Sequence, residues 1–337
     1  MVARTRSADP YSSGESRREA GDRVPTLICT DSGYLQHAAV CLTSLVANNP
    51  GLFFDIAIVR RASETLDIAK LRRSLAPFAN HTITEKAFTQ PPEISLPLNP
   101  QAKYTLDSWS RLWVADFFPD DVERVLYLDG DIVVVGSIAE LWRTDLDGNV
   151  LGCVDIPGAA IGVQRLGLRP EDGYFNSGVL LIDLKQWRET QVLPRLLDYM
   201  RVHPEQMVFA LDQDALNACL YKSKKRLDPK WNAVWTFFRD NEPVPLPRAA
   251  IEVLRRDARI IHFNHEIKPW SYFCEHPRQS EYYRYLRMTE WRDFVPPDRT
   301  MRNRLYKFAG AVLPARVKAS LRSARRKLPI GGMVHRA

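Results

Sequence analysis

The sequence predicts an α/β fold: a single large domain on a mostly parallel, Rossmann-like central sheet, with a basic helical appendage at its C-terminus. Three observations predict it. From Val24 onward, short β-branched runs alternate with helical stretches, the pattern of βαβ units. The segment Arg124-Val-Leu-Tyr-Leu128 carries an unbroken apolar run, as a strand covered by helices on both faces does. The 337 residues, 45% hydrophobic and 26% charged, are enough to build one sizeable core.

The elements follow in order. Residues 1–23 mix Ser, Arg, Glu and Gly with few apolar side chains and read as a tail that cannot repay its ordering entropy. Strands are predicted at 26–29, 54–59 and 81–84, with helices between them at 37–47 and 64–78. A Pro-rich loop at 90–100 leads into a helix through Arg111 and then the apolar strand ending at Leu128. Asp129-Gly130-Asp131 follows, with another apolar run at 132–135. Further strands are expected at 150–154 and 179–182, and helices at 184–200 and 212–221. The main domain is expected to span 24–298 and the appendage 299–337.

Charge is unevenly placed. The chain carries +7, but residues 299–337 hold eleven Lys and Arg and no acid, which leaves −4 on residues 1–298. Leu305, Phe308, Ala309, Val312 and Leu313 share one helical face, and Val317, Leu321, Ala324 and Leu328 resume the stripe beyond Pro314, with Arg and Lys around it. Such a segment suits an anionic membrane surface; the alternative is a helix packed on the protein's own core. Five cysteines without CxxC spacing point to a reducing, cytoplasmic setting, and the N-terminus lacks the apolar stretch of a secretory signal. No run is long enough for a spanning helix.

Ligands of open α/β sheets bind beyond the carboxyl ends of the strands, which directs attention to the residues after Cys29, Leu128 and Val154. Asp129 and Asp131, two apart in extended chain, can converge on one hard cation, although Asp-Gly between apolar runs is also a hairpin signal. Far downstream, Arg259-Ile-Ile-His262-Phe-Asn-His265-Glu-Ile-Lys268-Pro-Trp270 delivers an imidazole at a strand end and an ammonium just beyond it. Two carboxylates with an imidazole favour Mn²⁺ over Mg²⁺, and the ammonium suits a phosphate.

These residues, with Thr30-Asp31-Ser-Gly-Tyr34, Ser110-Arg111-Leu112, Leu126-Tyr-Leu-Asp-Gly-Asp131, Tyr174-Phe-Asn-Ser-Gly-Val179 and Asp212-Gln-Asp-Ala-Leu-Asn217, stand in an order that resembles the retaining glycosyltransferases of family 8. The resemblance is especially to the bacterial lipopolysaccharide α-galactosyl and α-glucosyl transferases. The resemblance covers roughly residues 26–270.

It implies a GT-A type fold in which Asp129, Asp131 and His262 hold Mn²⁺ against the diphosphate of UDP-galactose or UDP-glucose, with Mg²⁺ as an alternative. Asp31 would meet the uracil and Lys268 the diphosphate, while Arg111, Asp155, Asn176, Asp212 and Gln213 would line the donor sugar. Asp212, Asp155 and Gln213 are then the candidate catalytic groups, the Gln213 carbonyl being suited to an oxocarbenium-like centre. Taken singly, Arg111 reads equally as a surface charge, Asn176-Ser177-Gly178 as a turn, Asp212 as a helix cap and Asp155 as a strand end. Gly33 and His265 depart from the family pattern, where an Asn and a Gly are usual.

The implied activity is transfer of a hexose to a saccharide or lipid-linked glycan at the membrane, with no nucleic-acid partner. The competing class is a non-enzymatic protein that binds nucleic acid or membrane through its basic charge. That charge lies in the tail and forms no groove across the body.

Overall fold

The computed structural model describes residues 22–91, 109–208, 211–240 and 244–312. Most of the sequence-predicted Pro-rich loop, most of the N-terminal tail and the second half of the C-terminal stripe lie outside them.

Seven strands form the main sheet: β1 (Arg23–Cys29), β2 (Phe53–Arg61), β3 (His81–Phe88), β4 (Arg124–Leu128), β6 (Leu151–Asp155), β7 (Phe175–Asp183) and β8 (Lys224–Arg226), in the order β3-β2-β1-β4-β7-β6-β8. The three junctions from β3 to β4 are parallel, as is β6 with β8; β7 runs antiparallel to both neighbours. Side chains of β4 alternate as the apolar run requires. Leu126 and Leu128 enter the core under α1 (Leu35–Ala47) and α2 (Ile68–Leu75), while Val125 and Tyr127 enter the opposite core. That second core is closed by the 3-10 helix Ser110–Phe117 and by three later helices, α5 (Leu184–Glu189), α6 (Val192–Val202) and α7 (Leu211–Leu220); α3 (Ala139–Trp142) and α4 (Ala160–Arg165) precede these, and α8 (Arg248–Asp257) and α9 (Gln279–Leu286) follow them. The sheet is covered on both faces, which is why β4 needs no polar side.

A smaller sheet, β5 (Ile132–Val134), β10 (Ile260–His262) and β9 (Ala233–Val234), lies beside the main one. The hairpin reading of Asp-Gly fails here: β4 and β5 belong to different sheets, and Asp129-Gly130-Asp131 is the crossing between them. The expected helix at 184–200 is two helices, broken where Gln191 takes a left-handed backbone (φ 52°). Strand β7 starts four residues earlier than expected, so Asn176-Ser177-Gly178 is buried strand rather than turn. The strand expected at 81–84 continues to Phe88 because β2 pairs with it along its whole length, from Phe54 to Arg61.

Candidate active site at the junction of the two sheets

Two registers build the site. In the main sheet Leu128 pairs with Val179, and the ladder runs one step further as the Asp129 N–H donates to the Gly178 carbonyl at 2.8 Å. In the small sheet Ile132 pairs with His262, and the Phe263 N–H donates to the Asp131 carbonyl at 3.0 Å. Each aspartate is thus pinned by the backbone of a distant strand. The result gathers Asp129, Asp131 and His262, whose ligand atoms all lie within 4.8 Å of one another.

Around this group the charges are closely matched. Nε2 of His262 is 3.1 Å from Asp131 Oδ1 and 3.8 Å from Asp129 Oδ2, and Lys268 Nζ donates to Asp131 Oδ2 at 2.6 Å. Burial raises the Asp131 carboxyl, yet Lys268 and His262 outweigh it and hold the group well below the usual carboxylate range. Asp129 accepts from the Tyr127 hydroxyl at 2.6 Å and lies 2.9 Å from Arg111 Nη1. No side chain fits at Gly178, where a Cβ would sit 2.2 Å from His262 Cε1 and 2.8 Å from Asp129 Oδ2.

Arg111 is no surface charge. It is buried, its guanidinium lies over the Tyr127 ring at 4.6 Å, and its Nε stands 2.9 Å from Asp212 Oδ2. One cation therefore bridges two carboxylates, one just after β4 and one in α7. Asp212 belongs to the first turn of α7, with its side chain turned to Arg111. Burial pushes the Asp212 carboxyl up to about 6, against the pull of Arg111.

A chain of amides lies behind these charges. The Gln213 carbonyl accepts from the Ser177 N–H at 2.9 Å and from Asn176 Nδ2 at 3.2 Å, and Gln213 Nε2 donates to the Tyr174 hydroxyl at 3.1 Å. Asp214, buried one residue on, accepts from that hydroxyl at 2.5 Å and pairs with Arg165 at 2.6 Å.

A model of glycosyl transferase family 8 matches residues 25–274. The chain belongs to this family. It is a glycosyltransferase, and the non-enzymatic alternative is set aside. Among similar proteins, general stress protein A of Bacillus subtilis is 30% identical over 197 residues, 57% of this chain and 69% of that protein. The lipopolysaccharide 1,2-glucosyltransferase of Escherichia coli is 26% identical over 272 residues, 80% of this chain and 79% of that one. In fold, the chain is similar to the galactosyltransferase LgtC, solved with donor and acceptor sugar analogues, at a TM-score of 0.67 and 21% identity over 82% of this chain and 98% of LgtC.

Within this family-8 frame the remaining sequence-predicted residues are placed as follows. Asp31, just after β1, accepts the Tyr34 N–H at 2.8 Å and shapes the entry to α1. Asp155, at the end of β6, is gripped by Lys224 at 2.5 Å and Arg226 at 2.7 Å, so both of its oxygens face cations. The ring of Trp270 stacks on His37 with centroids 3.4 Å apart, tying the loop after β10 to α1. His265 leans toward Trp235 at 5.4 Å.

The sequence motifs contain Tyr127, Gly178, Tyr174 and Asp214 but assign them no role of their own, and they do not include Asn232 or Arg165. Tyr127 was legible only as an apolar strand residue, and the buried Asn232 stands before a two-residue strand that no periodicity announces.

Proposed function

We propose that this family-8 glycosyltransferase moves galactose or glucose from a UDP-sugar, with retention of configuration, to a saccharide or lipid-linked glycan such as a lipopolysaccharide core. The observation that carries the reading is the convergence of Asp129, Asp131 and His262 at the ends of strands from two sheets. Two carboxylates and an imidazole are a donor set suited to Mn²⁺, with Mg²⁺ the alternative, and the glycine at 178 leaves the imidazole room to face the carboxylates. When bound, such a cation supplies positive charge to the departing diphosphate.

The chain's own residues do the rest. Lys268 brings an ammonium to the same edge, where it can follow the negative charge onto the diphosphate. Arg111, held between Asp129 and Asp212, links the diphosphate side of the site to the sugar side, where Asp212 can accept from a sugar hydroxyl and Asn176 keeps one amide hydrogen to donate. Asp31 is assigned to the uracil. Gln213 keeps its carbonyl on Ser177 and Asn176, so its contribution is to fix that wall beside the sugar. With Asp155 held by two cations and Asp212 paired with Arg111, a front-face attack is favoured in which the UDP oxygen takes the acceptor's proton.

Residues 24–298 serve as the catalytic unit. Helix α10 (Met301–Val312) turns Met301, Leu305 and Phe308 outward, 72%, 65% and 69% exposed, among Arg302, Arg304 and Lys307. Three apolar side chains on one face with cations beside them suit an anionic bilayer, consistent with a cytoplasmic enzyme acting at the membrane. Among the described residues no helix is long and apolar enough to cross a membrane.

The test is a panel of nucleotide sugars assayed for hydrolysis with Mn²⁺ and with EDTA, on the parent and on Asp131→Asn. UDP-galactose or UDP-glucose should be turned over with Mn²⁺, and the variant should lose orders of magnitude while remaining folded. Full activity of Asp131→Asn in EDTA would remove the metal site.

A further inference from the structure

His262 presents one ring nitrogen to the carboxylate pair and the other to a fully buried amide, Asn232, whose Oδ1 lies 3.0 Å from Nδ1. Which atom of that amide faces the ring is settled by a chain of donors and acceptors that starts at the backbone. The Gly178 N–H can only donate, so the Asn176 atom 3.0 Å from it is the oxygen. An amide oxygen can only accept, so the Asn232 atom 2.8 Å from that oxygen is the nitrogen. The Asn232 oxygen must then face His262. The far end agrees, because the Ser177 N–H fixes the Gln213 oxygen and Asn176 Nδ2 donates to it. No link in the series can be reversed without setting oxygen against oxygen or N–H against N–H.

We propose that Asn232 is a positioning residue that keeps the proton of His262 on Nδ1, so that with a cation bound the Nε2 lone pair is the one offered to it between Asp129 and Asp131, the orientation of Asn232 being imposed by the Gly178 N–H through Asn176. Asparagine is required because the position must accept on one side and donate on the other. A carboxylate could do only the first, and a leucine neither. The same series reaches Gln213, so one set of amide orientations serves both the metal ligand and the wall assigned to the sugar. This inference rests on the reading of Asp129, Asp131 and His262 as a cation site.

The experiment measures Mn²⁺ binding directly, from the loss of the free-ion EPR signal in the presence of UDP, for the parent and for Asn232→Leu, Asn232→Asp and Asp131→Asn. Loss of the partner of a ligating imidazole should weaken binding about 10- to 100-fold in Asn232→Leu. Asn232→Asp still accepts from Nδ1 and should bind Mn²⁺ nearly as the parent does, yet lose about tenfold in turnover because it sets oxygen against Asn176. That split is not what a purely structural defect gives. Parent-like Mn²⁺ affinity in Asn232→Leu, with Asp131→Asn impaired, would overturn the proposal and leave the metal site standing. Undiminished binding by Asp131→Asn would take down both. A readout that needs no variant is the ¹⁵N spectrum of labelled histidine in the parent with Mg²⁺ and UDP: Nδ1 of His262 should be pyrrole-like, and a pyridine-like Nδ1 overturns the assignment.

Discussion

Gly178 and His262 come from strands of different sheets, yet they are so close that a Cβ on Gly178 would lie 2.2 Å from the imidazole Cε1. The ring cannot retreat, because Asn232 holds its Nδ1 and the β10 ladder holds its backbone. Gly178→Ala should therefore displace the ring from the aspartates. The expected outcome is a folded protein, destabilised by about 1–3 kcal/mol as overpacked cores are, with donor turnover reduced by orders of magnitude. Urea denaturation and a hydrolysis assay read the two effects separately, and wild-type turnover would contradict the close packing.

Asp212 predicts a pH effect of definite sign. Its folded pKa is about 6, above its ordinary value of 3.8, so between those limits the native state holds a proton that the unfolded state has released. Its contribution to stability is thus greatest below about pH 4 and is lost as pH rises to about 6, at up to about 1.4 kcal/mol per pH unit. In Asp212→Asn this slope is absent. The stability difference between parent and variant should change across pH 4 to 6 and level off above it, and a flat difference across that window would contradict the assignment.

The exposed stripe of α10 predicts a separable function. Truncation after Asp298 removes Met301, Leu305 and Phe308 with their neighbouring cations, while Asp298, which accepts from Ser271 and the Tyr272 N–H, is kept. The shortened protein should hydrolyse the donor at parental rates but no longer sediment with anionic vesicles. Sedimentation equal to the parent's would place membrane contact elsewhere.

Retention predicts the product. The new linkage should be α, seen as a small anomeric proton coupling in NMR, and Gln213→Ala should slow transfer while donor binding stays near normal. A β-linked product would overturn the retaining assignment, and a trapped glycosyl ester on Asp212 or Asp155 would replace front-face attack by double inversion.

The sequence by itself determined the α/β class, the doubly covered strand β4 and the identity of the acidic pair, because these are local signals: periodicity within a strand, or two charges two residues apart. It also carried the family, since ordered motifs survive in one dimension. Only the tertiary structure decided that Asp-Gly crosses between sheets instead of turning a hairpin, since that depends on which strands pair. The register of β5 on β10 set His262 against Asp131, 131 residues away in the chain. The tertiary structure likewise gave Arg111 two carboxylates and, through the pairing of β9 with β10, turned Asn232, an unremarkable residue in one dimension, into the partner of His262. Hydrogen-bond direction is a property of atoms facing each other across strands, and no spacing along a chain encodes it.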